Sequence, residues 1–556
     1  MENTNIVNIV NFIRAVEPRF REEPDLFEPV RREMELAKQH ALPATWLLQY
    51  DALVKGPYVD FLKREMPESH EAGCWFEVVE ELAEAAGIRW RGRWSWDWNV
   101  EVGFSIGYTP RERERLADAY VARFAELFGR PPASVGSWCF DAHLFNFLHE
   151  KYGIAAGCNC KDQYGTDGYT LWGGYWANAY YPSRKNAYLP AQSEAMQIPV
   201  PVFRMLGSDP LYQYSAGVAG NGQPVITLEP VYEGIGGGSR EWVDWFLREN
   251  FGDGPHFALS YAQAGQENSF GWERIGRGLP YQFRELARLR DAGKIRVETL
   301  EASGRWFRGR YPVTPVSAVV TLDDWKKENR AGIWYLSRFG RVNLFRDADR
   351  GLVIRDWQLF RESYAEPFLE QACPSNVCCY DALPLVDGNL WNPSAIRFPG
   401  GPGIFESVED AGNERMRIVW KSDAGGRTVI LLGPESVEVE FPAEGEALLF
   451  DCNVRGAEYH RTAIFHRDGA LRYRHCGEDY GFRAEKGSIV RDGGREFAFR
   501  LRRRPETGSC RGVMTAGKVT GSRPGRKRRA VPRLSNQPFS QNGLSAAGES
   551  RPADSI

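Results

Sequence analysis

The chain has 556 residues, 43% of them hydrophobic and 26% charged, with a formal net charge of −3. That length predicts more than one domain, and the composition is ordinary for a soluble globular protein with a sizeable core. No stretch approaches the ~18 consecutive apolar residues of a membrane helix, which excludes a helical membrane protein as the expectation.

The opening residues, "MENTNIVNIV", have no basic segment followed by an apolar one, so no secretory signal is expected. Ten cysteines in such a chain are expected as reduced thiols in a cytoplasmic protein. "CNC" at Cys158–Cys160 and "CC" at Cys378–Cys379 have no recognisable zinc-ligand spacing. Apolar strand-like runs follow at 6–13, 44–48, 74–76, 134–139, 154–157, 200–206, 257–262 and 295–300. Helical patterns lie between several of them, near 25–40, 78–86, 142–152, 240–249 and 279–291. The clearest begins at Thr109. Pro110 takes the first helical position and Glu112 completes a capping box. Leu116, Tyr120, Phe124 and Phe128 then recur every fourth residue, and Gly129 closes the helix. Alternation of strand and helix predicts a parallel sheet covered by helices. Eight strand runs without a G-x-G-x-x-G after the first favour a closed (β/α)7-8 barrel over a dinucleotide fold.

Beyond Asp324 the pattern changes. "IWYLSRFGRVNLF" and "WQLFRESYAEPFLEQA" are expected as a connecting strand and helix. From Gly403 onward short alternating runs are split by Gly, Asp and Pro, among them "RMRIVWKS", "RTVILLG", "SVEVEFP" and "EFAFRLRR", the pattern of an antiparallel β-sandwich. From Thr507 there are nine Lys or Arg against two acidic residues, in a segment rich in Gly, Ser and Pro that is expected to be disordered. Its run "RKRR" fits solvated disorder better than specific nucleic-acid binding. The expected organisation is an α/β chain: a barrel over 1–325, a connecting region over 326–402, a β-sandwich over 403–504 and a basic tail over 505–556.

In such a barrel the chemistry sits at the carboxyl ends of the strands. The polar residues that follow the strand runs are Arg14 and Glu17, Asp51, Glu77, Asp141 with His143, Asp162 and Asp167, Asp209, Glu267, and Glu301. Aspartate there often caps the next helix, and Asp141 directly before "AHLFNFLHEKYG" fits that role. Glutamate is a poor cap, so Glu77, Glu267 and Glu301 call for another account. "QENSFGW", Gln266–Trp272, sets a carboxylate between two amides, a pattern suited to a proton donor among groups that bind sugar hydroxyls. Eighteen tryptophans, clustered in "WRGRWSWDW" and "LWGGYWANAYY", suit either core or an aromatic-lined pocket. Glycoside hydrolysis requires two opposed carboxyl groups. Asp141 and Glu267 are the candidates, with Asp209 as a third. Arg14, Asp51, Trp98, His143, Asp167, Tyr169, Trp172, Gln263, Asn268 and Trp272 are the candidate substrate-binding residues. Among eight histidines no pair has metal-site spacing, so no cofactor is expected, with a catalytic divalent metal as the competing reading.

"VGSWCFDAHLFNFLHEKYGIAAG", Val135–Gly157, resembles the fourth-strand region of the glycoside hydrolase/deacetylase (β/α)-barrel superfamily. That group includes family 57 and family 38 glycoside hydrolases and the NodB-like polysaccharide deacetylases. Gly136, Trp138 and Asp141 match a G-x-W-x-x-E-like segment with Asp in place of Glu. The wider chain looks like bacterial members in which a β-rich domain follows the barrel. The resemblance implies a nucleophile at Asp141 and an acid after strand seven, where Glu267 is the nearest match although that acid is usually Asp. The paired Asp and the H-[ST]-x-x-x-H zinc motif of the deacetylases are absent, and the family 38 zinc site is not visible. The expectation is thus a carbohydrate-active hydrolase cleaving glycosidic bonds of an oligosaccharide. Its alternatives are a metal-dependent carbohydrate deacetylase on the same barrel and a non-catalytic carbohydrate-binding protein.

Overall fold

A computed structural model describes residues 3–19, 24–160, 163–166, 169–171, 173–216, 226–380, 383–387, 395–440, 447–451, 463–467, 470–475, 478–486, 488–491, 498–502 and 509–516. The first half is built on parallel strands: β1 (Asn5–Ile13), β2 (Thr45–Leu48), β3 (Glu71–Trp75), β4 (Ser134–Ser137), β5 (Ala156–Asn159), β6 (Val202–Arg204), β7 (Ser260–Ala264) and β8 (Arg296–Glu298). All eight expected strand runs are present. Their order in the sheet is β7-β1-β2-β3-β4-β5-β6, with β8 also paired to β1 and the short antiparallel strand Ala179–Tyr180 beside β6. The Phe203 and Tyr261 rings meet at 5.0 Å between β6 and β7, which brings the two ends of the sheet together as a nearly closed barrel. The strands read as apolar runs because both of their faces are covered.

The helices form where the apolar stripe and the caps agree. Helix α1 spans Phe27–Gln39 and α2 spans Pro110–Phe128, the latter opened by the Thr109–Glu112 capping box and closed by Gly129 at φ 75°. Helix α3, Ala142–Tyr152, starts where the Asp141 carboxylate accepts the Leu144 N–H at 2.9 Å, and Gly153 ends it at φ 70°. Helices α4 (Arg240–Asn250), α5 (Trp272–Asp291) and α6 (Leu300–Arg310) complete the covering layer.

The second half is a pair of packed antiparallel sheets that starts earlier than the expected boundaries. One sheet takes Ser317–Thr321, Ala331–Leu336, Gly340–Asp347, Gly351–Leu359, Ala395–Arg397, Ala447–Asp451, Ala498–Arg502 and Ser488–Arg491 in that order. The other begins at Gly403–Asp410 and includes Ser509–Ala516, which pairs with Ser436–Glu440 inside the range expected as tail. Residues 326–402 are therefore not a connection but much of one sheet. The run "IWYLSRFGRVNLF" is a hairpin, because Gly340 follows an "LSRF" turn between two apolar stretches. No helix forms over Trp357–Ala372: its first residues complete a strand, and Pro367 interrupts the rest. Leu344 and Trp357 of the first sheet share a buried core with Ile418, Trp420 and Leu432 of the second. The basic run Arg526–Arg529 lies outside the described residues.

After Leu359 the chain runs back along the barrel as a strap. Glu366 N–H donates to the Lys185 carbonyl at 2.9 Å, Cys373 N–H to Ile106 at 2.7 Å, and Val100 N–H to the Asn376 side chain at 2.8 Å. Among the described residues, no helix is long and apolar enough to cross a membrane.

Candidate active site

Strand register defines the rim. Ile13 pairs with Leu48, Leu48 with Cys74, Trp75 with Gly136, Ser137 with Asn159 and Asn159 with Arg204, so the residues that follow these positions share one level at the carboxyl end of the sheet. Arg14, one residue past β1, is 1% exposed there. Asn268 fixes its backbone: the amide oxygen accepts Arg14 N–H at 2.9 Å, and the amide nitrogen donates to the Arg14 and Leu26 carbonyls at 2.8 Å.

Three carboxylates converge on Arg14, and a fourth lies within reach of the charge of one of them. Its Nη2 donates to both Glu77 oxygens at 3.2 Å, and its Nη1 lies 3.0 Å from Glu267 Oε2 and 3.7 Å from Glu17 Oε2. Arg19 clasps Glu17 through Nε at 2.8 Å and Nη2 at 2.6 Å, and reaches Glu267 Oε1 at 3.5 Å. The Trp96 ring lies under both guanidinium groups, 4.3 Å from Arg14 and 4.9 Å from Arg19. Gln49 donates to Glu77 at 2.8 Å, and Ser269 to Glu267 Oε1 at 2.6 Å. The fourth carboxylate, Glu229, accepts from Thr227 Oγ1 at 2.8 Å and from Gln266 Nε2 at 3.4 Å.

Local backbone explains how Glu267 arrives. Gly265 sits at φ +93°, where a side chain would collide with the Val10 carbonyl and with Asn11 Oδ1. Only glycine is comfortable in that conformation. The chain kinks there and pairs again with β1 at the Phe12–Glu267 bridge, setting Glu267 beside Arg14.

Burial dominates the electrostatics. It pushes the Glu229 carboxyl up to about 7, with the Glu267 charge adding to the effect and hydrogen bonds from Thr227 and Gln266 opposing it. Glu77 is raised by burial, with Arg14 working against it. Burial disfavours the Arg14 charge, but Glu267 and Glu77 outweigh that and raise its pKa. Glu267 Oε2 is buried and, despite its ion pair, has no hydrogen-bond donor aligned on it.

The other candidates are dispersed. Asp51 lies next to Arg14 along the chain contacts, accepting Ala15 N–H at 3.0 Å and Ala52 N–H at 2.7 Å; burial raises it to about 7. Gln263 is buried in β7 and accepts from the Tyr261 hydroxyl at 3.4 Å. Trp98 stacks on Trp94 at 5.0 Å and touches Trp96 at 6.0 Å. Trp272 opens α5, half-buried.

Asp141 is not turned toward Glu267. Its oxygens accept from Arg113 Nη1 at 2.9 Å, Leu144 N–H at 2.9 Å and Ser105 Oγ at 2.6 Å. Asp209 is likewise occupied, by Trp242 Nε1 at 2.8 Å, Trp325 Nε1 at 2.9 Å and two backbone N–H groups. His143 pairs with Glu114 at 3.0 Å on the helix surface, and Glu301 with Arg130 and Arg305. Asp167 and Trp172 lie outside the described residues, as does the Tyr169 side chain. Glu229, Arg19 and Trp96 were missed from sequence: Glu229 follows no strand run, and its only signal is a carboxylate before proline in "TLEP".

A divalent metal, which the deacetylase reading requires, does not fit these residues. Among the described residues no three His, Cys, Asp or Glu side chains are grouped to hold one. The glutamates that do gather surround a guanidinium, which already fills the cationic position.

No protein-family model matches the chain, and no curated protein matches it. Among solved structures, one from Parabacteroides distasonis, itself only provisionally described as a glycoside hydrolase/deacetylase, aligns with a TM-score of 0.50 at 15% identity. It covers 68% of this chain and 91% of its own. The two share a fold. That fold is the barrel type implied by the resemblance at Val135–Gly157. An acetyl xylan esterase of family 4 from Clostridium thermocellum aligns at TM-score 0.26 and 9% identity, over 56% of this chain and 94% of its own. A 4-alpha-glucanotransferase from Thermococcus litoralis aligns at 0.25 and 10%, over 93% and 98%.

Proposed function

We propose that the chain is a carbohydrate-active hydrolase that cleaves glycosidic bonds of an oligosaccharide at the rim around Arg14. The observation that carries the reading is the pairing of two neighbouring carboxyls in unlike environments. Burial favours the protonated form of Glu229 up to about pH 7, while Glu267 is ion-paired with two guanidinium groups. A carboxyl kept protonated by burial next to one held in ion pairs can divide acid from base work. In this reading Glu229 protonates the departing glycosidic oxygen. Glu267, through Oε2, attacks the anomeric carbon or takes a proton from water. Arg14 and Arg19 orient Glu267, and Trp96 backs both. Asp141 and Asp209, with every oxygen engaged, hold structure.

A second reading, a carbohydrate-binding protein without turnover, is favoured by the depth of the ion pairs: Arg14, Glu77 and Glu267 are all nearly inaccessible to solvent. Screening chromogenic and natural oligosaccharides with the wild type and Glu267→Gln, with and without chelator, tests the proposal. Turnover that survives chelation and is lost in Glu267→Gln supports it. Saturable sugar binding without turnover favours the second reading, and turnover abolished by chelation overturns the metal-free mechanism.

A further inference from the structure

A second cation stands on the same rim with no counter-charge among the described residues. Arg204 ends β6 at the level of Asn159 and is 1% exposed. Its Nη1 donates to Asn159 Oδ1 at 2.8 Å, but Nε and Nη2 are buried with no hydrogen-bond partner. The Tyr188 ring lies 5.7 Å from the guanidinium, and the Tyr180 hydroxyl is hydrogen-bonded to the Arg204 side chain, a neutral partner that supplies no counter-charge. No carboxylate among the described residues forms an ion pair with it.

The vacant edge is a specific one. Elsewhere in this chain the Nε–Nη2 edge of an arginine is where a carboxylate docks with two parallel bonds. Arg341 holds Asp356 that way at 2.8 and 3.0 Å, Arg93 holds Asp97 at 2.9 and 2.8 Å, and Arg19 holds Glu17 at 2.8 and 2.6 Å. A guanidinium stripped of water and left unpaired is strongly unfavourable, and the planar fork matches a carboxylate in both spacing and charge. Arg204 also connects to the proposed site. Tyr188 donates to the Trp138 carbonyl at 3.3 Å, and the Trp138 ring stands edge-on to Phe12 and Trp75 at 5.8 and 6.0 Å, beside Arg14 and Glu77.

We propose that the Nε–Nη2 edge of Arg204 receives the carboxylate of an acidic sugar, so that the ligand of the rim is a uronate-containing oligosaccharide. This rests on the reading of the rim as a carbohydrate site, and it names the sugar class. Asn159 fixes the plane of the guanidinium, and the tyrosines wall the carboxylate off from water.

The test measures binding by calorimetry rather than turnover, using paired uronate and neutral oligosaccharides of equal length on the wild type, Arg204→Gln and Glu267→Gln. The wild type is expected to bind the uronate about tenfold or more tightly, the scale of a charge-assisted hydrogen-bonded pair. That preference disappears in Arg204→Gln and persists in Glu267→Gln. Equal affinity for the two sugars in the wild type, or an unchanged preference in Arg204→Gln, overturns the proposal, as does protection by inorganic sulfate but not by uronate. A uronate preference without any turnover leaves the anion site standing and fails the hydrolase reading alone. Should Arg204→Gln not fold, Arg204 is a structural residue and the proposal falls. Folding of Arg204→Gln with undiminished thermal stability, and uronate raising the melting temperature of the wild type only, supports it.

Discussion

Arg14 Nη1 stands 3.0 Å from Glu267 Oε2 inside the barrel rim, yet the two atoms are not aligned as a hydrogen bond. The carboxylate is held by charge while one lone pair remains unengaged. Replacing Glu267 with Gln keeps the shape and removes the charge. Turnover is expected to be lost while the far-ultraviolet dichroism stays that of the wild type; a fully active variant would remove Glu267 from the mechanism. Arg14→Met leaves Glu77, Glu17 and Glu267 as crowded buried carboxylates, and a loss of ~3–5 kcal/mol in urea unfolding is expected.

Asp141 gives the contrasting case. Asp141→Asn leaves the fully buried Arg113 guanidinium without its carboxylate. Urea denaturation is expected to show a loss of ~3–5 kcal/mol, with the kcat of the remaining folded protein close to that of the wild type. A stable but inactive variant would return Asp141 to the chemistry.

Glu229 predicts a pH dependence with a definite sign. Its folded pKa of about 7 lies above the ordinary glutamate value, so the folded state holds the proton more tightly than the unfolded one. Its contribution is fully present below pH ~4.3 and is lost as pH rises to about 7, a change of about 4 kcal/mol. Asp51 and Glu71, also near 7, titrate in the same window. The measurement is therefore the difference between wild type and Glu229→Gln: the wild type should lose more stability between pH 4 and 7. If Glu229 is the proton donor, kcat should also fall on the alkaline side of about 7.

Trp94 is 39% exposed and stacks on Trp98, which touches the Trp96 ring beneath Arg14. This row of rings leads from the surface to the carboxylates. Trp94→Ala is expected to weaken oligosaccharide binding by about 0.5–1.5 kcal/mol, the worth of one aromatic stacking contact, with kcat unchanged. Tryptophan fluorescence titration checks it, and unchanged affinity would remove the platform from the binding path.

Much of the barrel was legible because strands buried on both faces read as unbroken apolar runs, and the helices between them carry plain caps. The second half was less so. Alternation marks strands, but it does not say which belong to the same sheet, so residues 326–402 passed for a connection. The site divided along similar lines. Glu77 and Glu267 stood out because glutamate caps poorly, whereas Asp141 drew attention through a motif whose capping and catalytic forms look alike. Arg113 held an overlooked clue: it shares the helical stripe of Leu116, Ala117 and Tyr120, and an arginine on an apolar face needs a buried partner. Glu267 reaches Arg14 because β7, late in the chain, pairs directly with β1, a relation that no local pattern in the sequence records.

The strap after Leu359 has a consequence for how the chain can be divided. Glu366 accepts the Ala142 N–H at 2.8 Å and the Ala187 N–H at 2.9 Å, and Arg113 donates to the Phe368 carbonyl at 2.7 Å and the Gln371 carbonyl at 3.0 Å. A fragment cut at residue 325 would keep every barrel strand but strand an arginine's donors and bare a helix start. Its first half is finished by a belt borrowed from downstream, and the two portions stand or fall as one body.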